Sequence, residues 1–210
     1  MVKYCTSETI LNFKWNEVAR VFWNRYPNPY STHVLSEDVV SRRVVDGKLW
    51  TTRIITKTNK LPKWGAFLVP SSTRFVHMVE ESIIDPIKKT FITYTRNMGL
   101  THILSVSEKC HYGVHTDGST ICLREMWADS KIYGLRRPIE AFAIERFKKN
   151  VHSTIQGLEH VLTKAFTSFP PPSSESNSVM KSCNVSKKPN DLSAFSQQKV
   201  SNSYTSKTAV

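Results

Sequence analysis

The sequence predicts an α+β fold, a seven-stranded curved antiparallel sheet gripping a long C-terminal helix. Three observations carry that prediction. β-rich segments alternate with turn signals at Asp46-Gly47, Asp85-Pro86 and Asp117-Gly118. An apolar stripe at helical spacing runs from Pro138 to about Phe166. The 210 residues, 40% of them hydrophobic, suffice for one substantial core without staples.

The elements follow in order. The opening segment VKYCTSETIL supplies one strand. Trp15 to Tyr26 places Trp15, Val18, Ala19, Phe22 and Trp23 on one helical face and stops at Pro27-Asn28-Pro29. Asp46-Gly47 joins SEDVVSRRVV to KLWTTRIITK, and Asp85-Pro86 starts a looser turn between RFVHMVEESII and KTFITYTRN. Asp117-Gly118 joins ILSVSEKCHYGVHT to STICLREMW. LPKWGAFLVPSS is too short for a core helix and too apolar for an ordinary loop. The final helix carries Ile139, Phe142, Phe147, Val151, Ile155, Leu158 and Leu162; Pro138 suits its first turn, and Pro170-Pro171-Pro172 ends it. From Pro170 onward Ser, Asn, Lys and Pro dominate and the few apolar residues have no period, so residues 1–168 read as one domain and 169–210 as a disordered tail.

Lys and Arg number 29 against 17 Asp and Glu, a net charge of +12 that favours an anionic partner: nucleic acid, an acidic membrane or a phosphorylated small molecule. Cys5, Cys110, Cys122 and Cys183 show no metal spacing and exclude a dense disulfide framework. His111 and His115 share a strand face without a third ligand, and no nucleophile motif such as Gly-x-Ser-x-Gly occurs, so neither a metal site nor an enzyme is expected. No apolar run approaches the ~20 residues that span a bilayer. The N-terminus lacks the look of a signal peptide or matrix presequence, which by itself points to the cytosol.

A two-residue turn at Asp46-Gly47 sets Val45 opposite Lys48. Ser36, Asp38, Val40, Arg42 and Val44 then share a face with Leu49, Thr51, Arg53, Ile55 and Lys57. Neither face is cleanly apolar. Either the arginines snorkel outward, or Arg53 or Lys57 lies inside a cavity and needs an anion to offset its desolvation. The same rule at Asp117-Gly118 sets Cys122 opposite Gly113 and Cys110 opposite Glu125, so the two thiols point to opposite faces. On the long helix Arg146, Asn150, Ser153 and Gly157 form one ridge beside the apolar stripe: a boundary row, or a polar lining whose guanidinium and amide bind phosphate. A sheet gripping a helix leaves room for such a cavity.

Six separated segments carry a family resemblance. They are Phe22 to Leu35 with its Arg25-Tyr26-Pro27-Asn28-Pro29 centre; Thr51-Thr52-Arg53 with Lys57; Leu61-Pro62-Lys63-Trp64; Ile84-Asp85-Pro86; Thr93 to Asn97; and Arg146 to Val151. In order and spacing these segments resemble the PRELI/Ups family of lipid-transfer proteins of the mitochondrial intermembrane space, over residues 1 to about 168. The Tyr30-Ser31 and Lys57-Thr58-Asn59 neighbourhoods look nearer to the PRELI branch, associated with phosphatidic acid, than to the slowmo-like branch, associated with phosphatidylserine. The resemblance implies a fold like the START and phosphatidylinositol-transfer domains, with seven strands around a lipid cavity and a flexible lid. It implies no enzymatic activity and no cofactor beyond a phospholipid ligand, phosphatidic acid. The family's headgroup residues map onto Arg25, His33, Lys57, Arg146 and Asn150; a further basic position is Ser153 here, beside His152. The lid becomes Pro62–Pro70, where Lys63, Trp64, Phe67, Leu68 and Val69 meet the membrane. The resemblance further implies residence in the intermembrane space without a cleavable presequence, anionic membranes as partners, and retention by a small disulfide-bonded helical-hairpin protein. Transfer would move phosphatidic acid between mitochondrial membranes and support cardiolipin synthesis. The competing readings are a lipid-binding adaptor without transfer and a basic nucleic-acid-binding module; scattered basic residues and the lack of a ribonucleoprotein motif speak against the latter.

Overall fold

The computed structural model describes residues 2–58, 68–69, 74–166 and the strand 181–186. Chain order is β1 (Lys3–Leu11), α1 (Trp15–Val21), a 3-10 turn (Phe22–Asn24), β2 (Val34–Val45), β3 (Lys48–Thr58), β4 (Phe75–Asp85), β5 (Thr90–Asn97), β6 (Ser105–Val114), β7 (Thr120–Asp129), α2 (Arg136–Phe166) and β8 (Lys181–Ser186). All strands lie in one antiparallel sheet ordered β2-β3-β4-β5-β6-β7-β1-β8. The three expected hairpins and the opening strand account for seven of them. α2 lies across the inner face and buries Phe147, Val151, Ile155, Leu158 and Leu162 against Leu11, Trp15, Val18, Phe91 and Met126. That alternation of buried and outward side chains along α2 is the predicted stripe.

α1 starts where the Glu17 carboxylate accepts the Lys14 backbone N–H at 2.8 Å, half of a capping box. It closes at Val21 and tightens into the 3-10 turn before the cis Tyr26-Pro27 peptide, earlier than the expected Tyr26. Asp85 shapes the β4–β5 turn by accepting the N–H groups of Ile87 and Lys88 through Oδ1.

Three expectations need correction. Val45 pairs with Lys48 as expected, with Asp46 and Gly47 both at positive φ. Bulges at Val39/Ser41 and Val34/Ser36 then slip the register, so Val39 faces Arg53 and Val34 faces Lys57. Glu37 rather than Asp38 thereby reaches the Arg53 face. In the β6–β7 hairpin the His115 N–H bonds the Ser119 carbonyl and Gly118, at φ +87°, donates to the His115 carbonyl. This is a three-residue loop, not two, and the register moves by one: Tyr112 pairs with Cys122 and Cys110 with Arg124. Cys110 and Cys122 therefore share the inner face, as buried free thiols. Finally, Lys181–Ser186 of the expected tail forms β8 on the outer edge of β1. Its scattered apolar residues gave no strand period, but an edge strand needs only the unpaired backbone groups of its neighbour. Residues 169–180 and 187–210 lie outside the described residues.

Candidate functional site

The pleat brings two polar rows together on the inner face. In one, Arg53, Glu80, Thr95, Glu108 and Met126 lie side by side across β3 to β7. In the next, Thr51, Ser82, Thr93, Cys110 and Arg124 do the same. Leu49, Ile84, Phe91, Tyr112 and Cys122 make the apolar row below. α2 bridges these rows and encloses a cavity of about 250 Å³. Its floor is polar: Arg25, Glu80, Thr93, Thr95, Glu108, Cys110 and Arg124. Its mouth is apolar: Leu68, Val69, Leu100, Ile103, Leu104 and Ile139.

The chain before β2 builds one wall. Arg25 donates through Nη2 to Glu80 Oε2 at 2.7 Å, and Arg53 donates through Nε to Glu80 Oε1 at 3.1 Å and also through Nη2. Arg53 Nη1 reaches Glu37 Oε2 at 2.8 Å. Arg25 lies 3.8 Å above the Phe22 ring, and Arg53 lies 4.9 Å from the Trp23 ring. The Phe22-Trp23-Asn24-Arg25-Tyr26 stretch thus supplies both a cation and the aromatic faces against which two guanidinia stack. Burial raises the cost of a charged Glu80, but the two arginines outweigh it and hold the carboxyl below its ordinary range. Burial likewise opposes the Arg25 charge, and Glu80 overcomes it. Glu37 moves the other way, its pKa raised chiefly by burial although Arg53 opposes the rise.

Opposite, Arg124 donates to Glu108 Oε1 at 2.7 Å and Cys110 Sγ to the same oxygen at 3.2 Å. The hydrogen bond to Cys122 and burial push the Cys110 thiol well up, so it enters this cluster as a neutral donor.

Arg25, Lys57, Arg146 and Asn150 all line the cavity, on three elements far apart in sequence. Lys57 stands on β3 opposite Val34 and has no acidic partner among the described residues. Arg146 has its pKa lowered by burial. Thr154, rather than Ser153, continues the lining from Asn150, and Gly157 sits against the Asn28 side chain. His33 does not join the lining; its carbonyl accepts the Thr58 N–H at 2.9 Å, which secures the start of β2 beside Lys57. Leu68 and Val69 close the mouth against Ile103 and Ile139, while Lys63, Trp64 and Phe67 lie outside the described residues. Glu80, Glu108 and Arg124 escaped the sequence reading. Their signal was strand parity: Glu80 shares a face with Met78, Ser82 and Ile84, and Arg124 shares one with Cys122 and Met126.

Two solved structures share the fold. The protein TTHA0849 of Thermus thermophilus superposes with a TM-score of 0.54 at 15% identity, covering 78% of this chain and 99% of the other. Ara h 8.0201 gives 0.52 at 15%, with the same coverage. The sheet-and-helix fold implied by the resemblance is the one observed. Among relatives in sequence, the mitochondrial PRELI domain-containing protein 1 of Bos taurus is 42% identical over 175 residues, 81% of this chain and 80% of the relative. Its Homo sapiens counterpart is 42% identical over 168 residues, 78% and 77% of the two chains. The mitochondrial protein UPS1 of Saccharomyces cerevisiae is 35% identical over 172 residues, 78% and 95%. The PRELI-like family model matches residues 16–168. Residues 16–168 hold α1 from its second residue, the Arg25–Glu80–Arg53 cluster, every described cavity-lining residue and α2, and by that match and those identities the chain belongs to the PRELI-like family.

Proposed function

We propose that this chain is a phospholipid-transfer protein that carries phosphatidic acid between mitochondrial membranes across the intermembrane space, supporting cardiolipin synthesis. The observation that carries this reading is the charge of the cavity. Among the described residues, Arg25, Lys57, Arg124 and Arg146 line it against Glu80 and Glu108, an excess of two positive charges in a cavity with a polar floor and an apolar mouth. A phosphomonoester near neutral pH carries up to two negative charges, and its oxygens accept hydrogen bonds from guanidinium, ammonium and Thr hydroxyl donors. A headgroup held by Lys57, Arg146 and Asn150 leaves acyl chains to run among the apolar lining residues. The volume of about 250 Å³ suits a headgroup and the start of its chains. The small cluster of Val69, Ile103 and Ile139, separate from the main core, parts to admit the rest.

Lys57, Arg146 and Asn150 bind the phosphate in this reading. Arg25, already bonded to Glu80, holds the wall that presents them. Segment 62–70, with Lys63, Trp64, Phe67, Leu68 and Val69, is the lid that meets the bilayer. The site binds and carries; it performs no reaction and needs no cofactor. A small disulfide-bonded helical-hairpin protein of the intermembrane space is the retaining partner.

The test is transfer between donor and acceptor vesicles. Labelled phosphatidic acid is expected to move much faster than phosphatidylcholine, and Lys57→Ala is expected to slow it about tenfold, since a hydrogen bond to a charged group contributes ~1.5–3 kcal/mol. Uptake without delivery would make the chain a lipid-binding adaptor. Equal rates for both lipids would sink the phosphatidic acid assignment.

A further inference from the structure

The loop between β5 and β6, which lines the cavity through Leu100, Ile103 and Leu104, is tied to the loop between β7 and α2. The Ser130 hydroxyl donates to the Ile103 carbonyl at 2.6 Å, tying the end of β7 to the loop between β5 and β6. Ile132 and Leu135 pack beneath, against Val69, Ile103 and Ile139. Arg136 pins the α2 end through Asp129 Oδ1 at 2.5 Å and Glu140 Oε1 at 2.7 Å. Between these fixed points the chain turns at Gly134, whose φ of +75° is the left-handed region a side chain disfavours. The turn throws Tyr133 outward. It is fully exposed although its neighbours Ile132 and Leu135 are packed, and Lys131 and Arg137 flank it, both exposed.

An aromatic ring held out by a fixed turn, between two exposed cations, beside an apolar mouth, has the chemistry of an interfacial anchor. We propose that the Lys131–Arg137 loop is a membrane-docking edge for an anionic bilayer. Tyr133 enters the headgroup region, and Lys131 and Arg137 meet lipid phosphates. The proposal rests on the lipid-carrying reading for its purpose, but it concerns a surface separate from the headgroup site and from segment 62–70. Docking here turns the mouth toward the lipid, and the Ser130–Ile103 bond passes any movement of the loop to the side chains that close the cavity. The bilayer is favoured over a protein partner because the fully exposed ring stands between two exposed cations, the charge complement of an anionic lipid surface.

The test uses co-sedimentation of the full chain with phosphatidylcholine vesicles, with and without phosphatidylglycerol. Each basic residue near an anionic surface is worth about fivefold in affinity, so Lys131→Ala with Arg137→Ala is expected to lose about twentyfold on the anionic vesicles and little on the neutral ones. Tyr133→Ser is expected to weaken binding to both, and Tyr133→Trp to restore it. All three positions are exposed, so the melting transition should not move. Wild-type affinity in the charge pair and in Tyr133→Ser would overturn the proposal. Phospholipid extracted from the same preparations separates the two readings. Bound phospholipid with vesicle binding indifferent to Tyr133 removes the docking edge alone. Tyr133-dependent binding by a chain that never retains phospholipid leaves the docking edge and removes the transfer reading.

Discussion

Arg25 and Arg53 keep their buried charges because Glu80 lies between them. Taking three charges out of water is unfavourable in itself, and their mutual bonding offsets it, so removing the shared carboxylate leaves Arg25 stacked on Phe22 without its acidic partner and Arg53 with Glu37 alone. Glu80→Gln is expected to destabilise the fold by about 3–5 kcal/mol, read from denaturant unfolding. The pH dependence follows from the sign of the shift. Glu80 has a folded pKa below its unfolded value of 4.5, so its contribution is complete above that value and fades as pH falls through the folded pKa. Glu37, raised instead, contributes a loss of stability as pH climbs from 4.5 to its folded value. Melting temperatures between pH 3 and 7 should therefore fall on the acid side in the wild type. Glu80→Gln should flatten that limb, and an unchanged limb would show that the carboxylate does not govern it. Lys57 was legible from the parity of KLWTTRIITK. The anion that the same reasoning required for Arg53 was not, because a bulge in β2 and a second glutamate on β4 supply it.

At the scale of elements, one contact between α2 and the chain before β2 decides how closely they approach. A Cβ on Gly157 would stand 2.6 to 2.8 Å from the Asn28 amide atoms. That amide cannot swing away freely: it donates to the Arg25 carbonyl at 2.6 Å and accepts the Tyr30 N–H at 3.0 Å. Alanine in a helix interior ordinarily gains about 0.8–1 kcal/mol over glycine. Gly157→Ala is nevertheless expected to destabilise by about 1–3 kcal/mol through overpacking. In an Asn28→Ala background the same change should turn neutral or stabilising; equal effects in both backgrounds would show that the two residues do not couple. Both partners stood in the sequence, Asn28 between two prolines and Gly157 on the polar ridge, but nothing in either segment announced their contact. Hairpins and helices were legible for the opposite reason, since turn residues and periodicity are local. Register failed where one residue decides it. A three-residue loop in place of two moved Cys110 and Cys122 onto one face, and β8 depended on the free edge of β1 rather than on its own pattern.

For the molecule as a whole, a basic chain of net charge +12 lines its cavity, among the described residues, with an excess of two positive charges, and in the proposed function that cavity holds one phospholipid by its phosphate. Long-range attraction to an anionic membrane follows from the total charge and weakens with salt. Retention of the lipid follows from the cavity and should resist salt more than surface attraction does, because charges inside a cavity are screened less than those on an open surface. Raising the salt concentration should therefore release the chain from vesicles well before it releases lipid from the chain, a separation visible when both are followed in one titration. Native mass spectrometry of the chain after incubation with mixed phospholipid vesicles tests the central claim most directly. One bound phospholipid per chain is predicted, enriched in phosphatidic acid over phosphatidylcholine and largely lost in folded Lys57→Ala. A chain that emerges empty, or a Lys57→Ala variant that keeps phosphatidic acid at the wild-type level, would contradict the account.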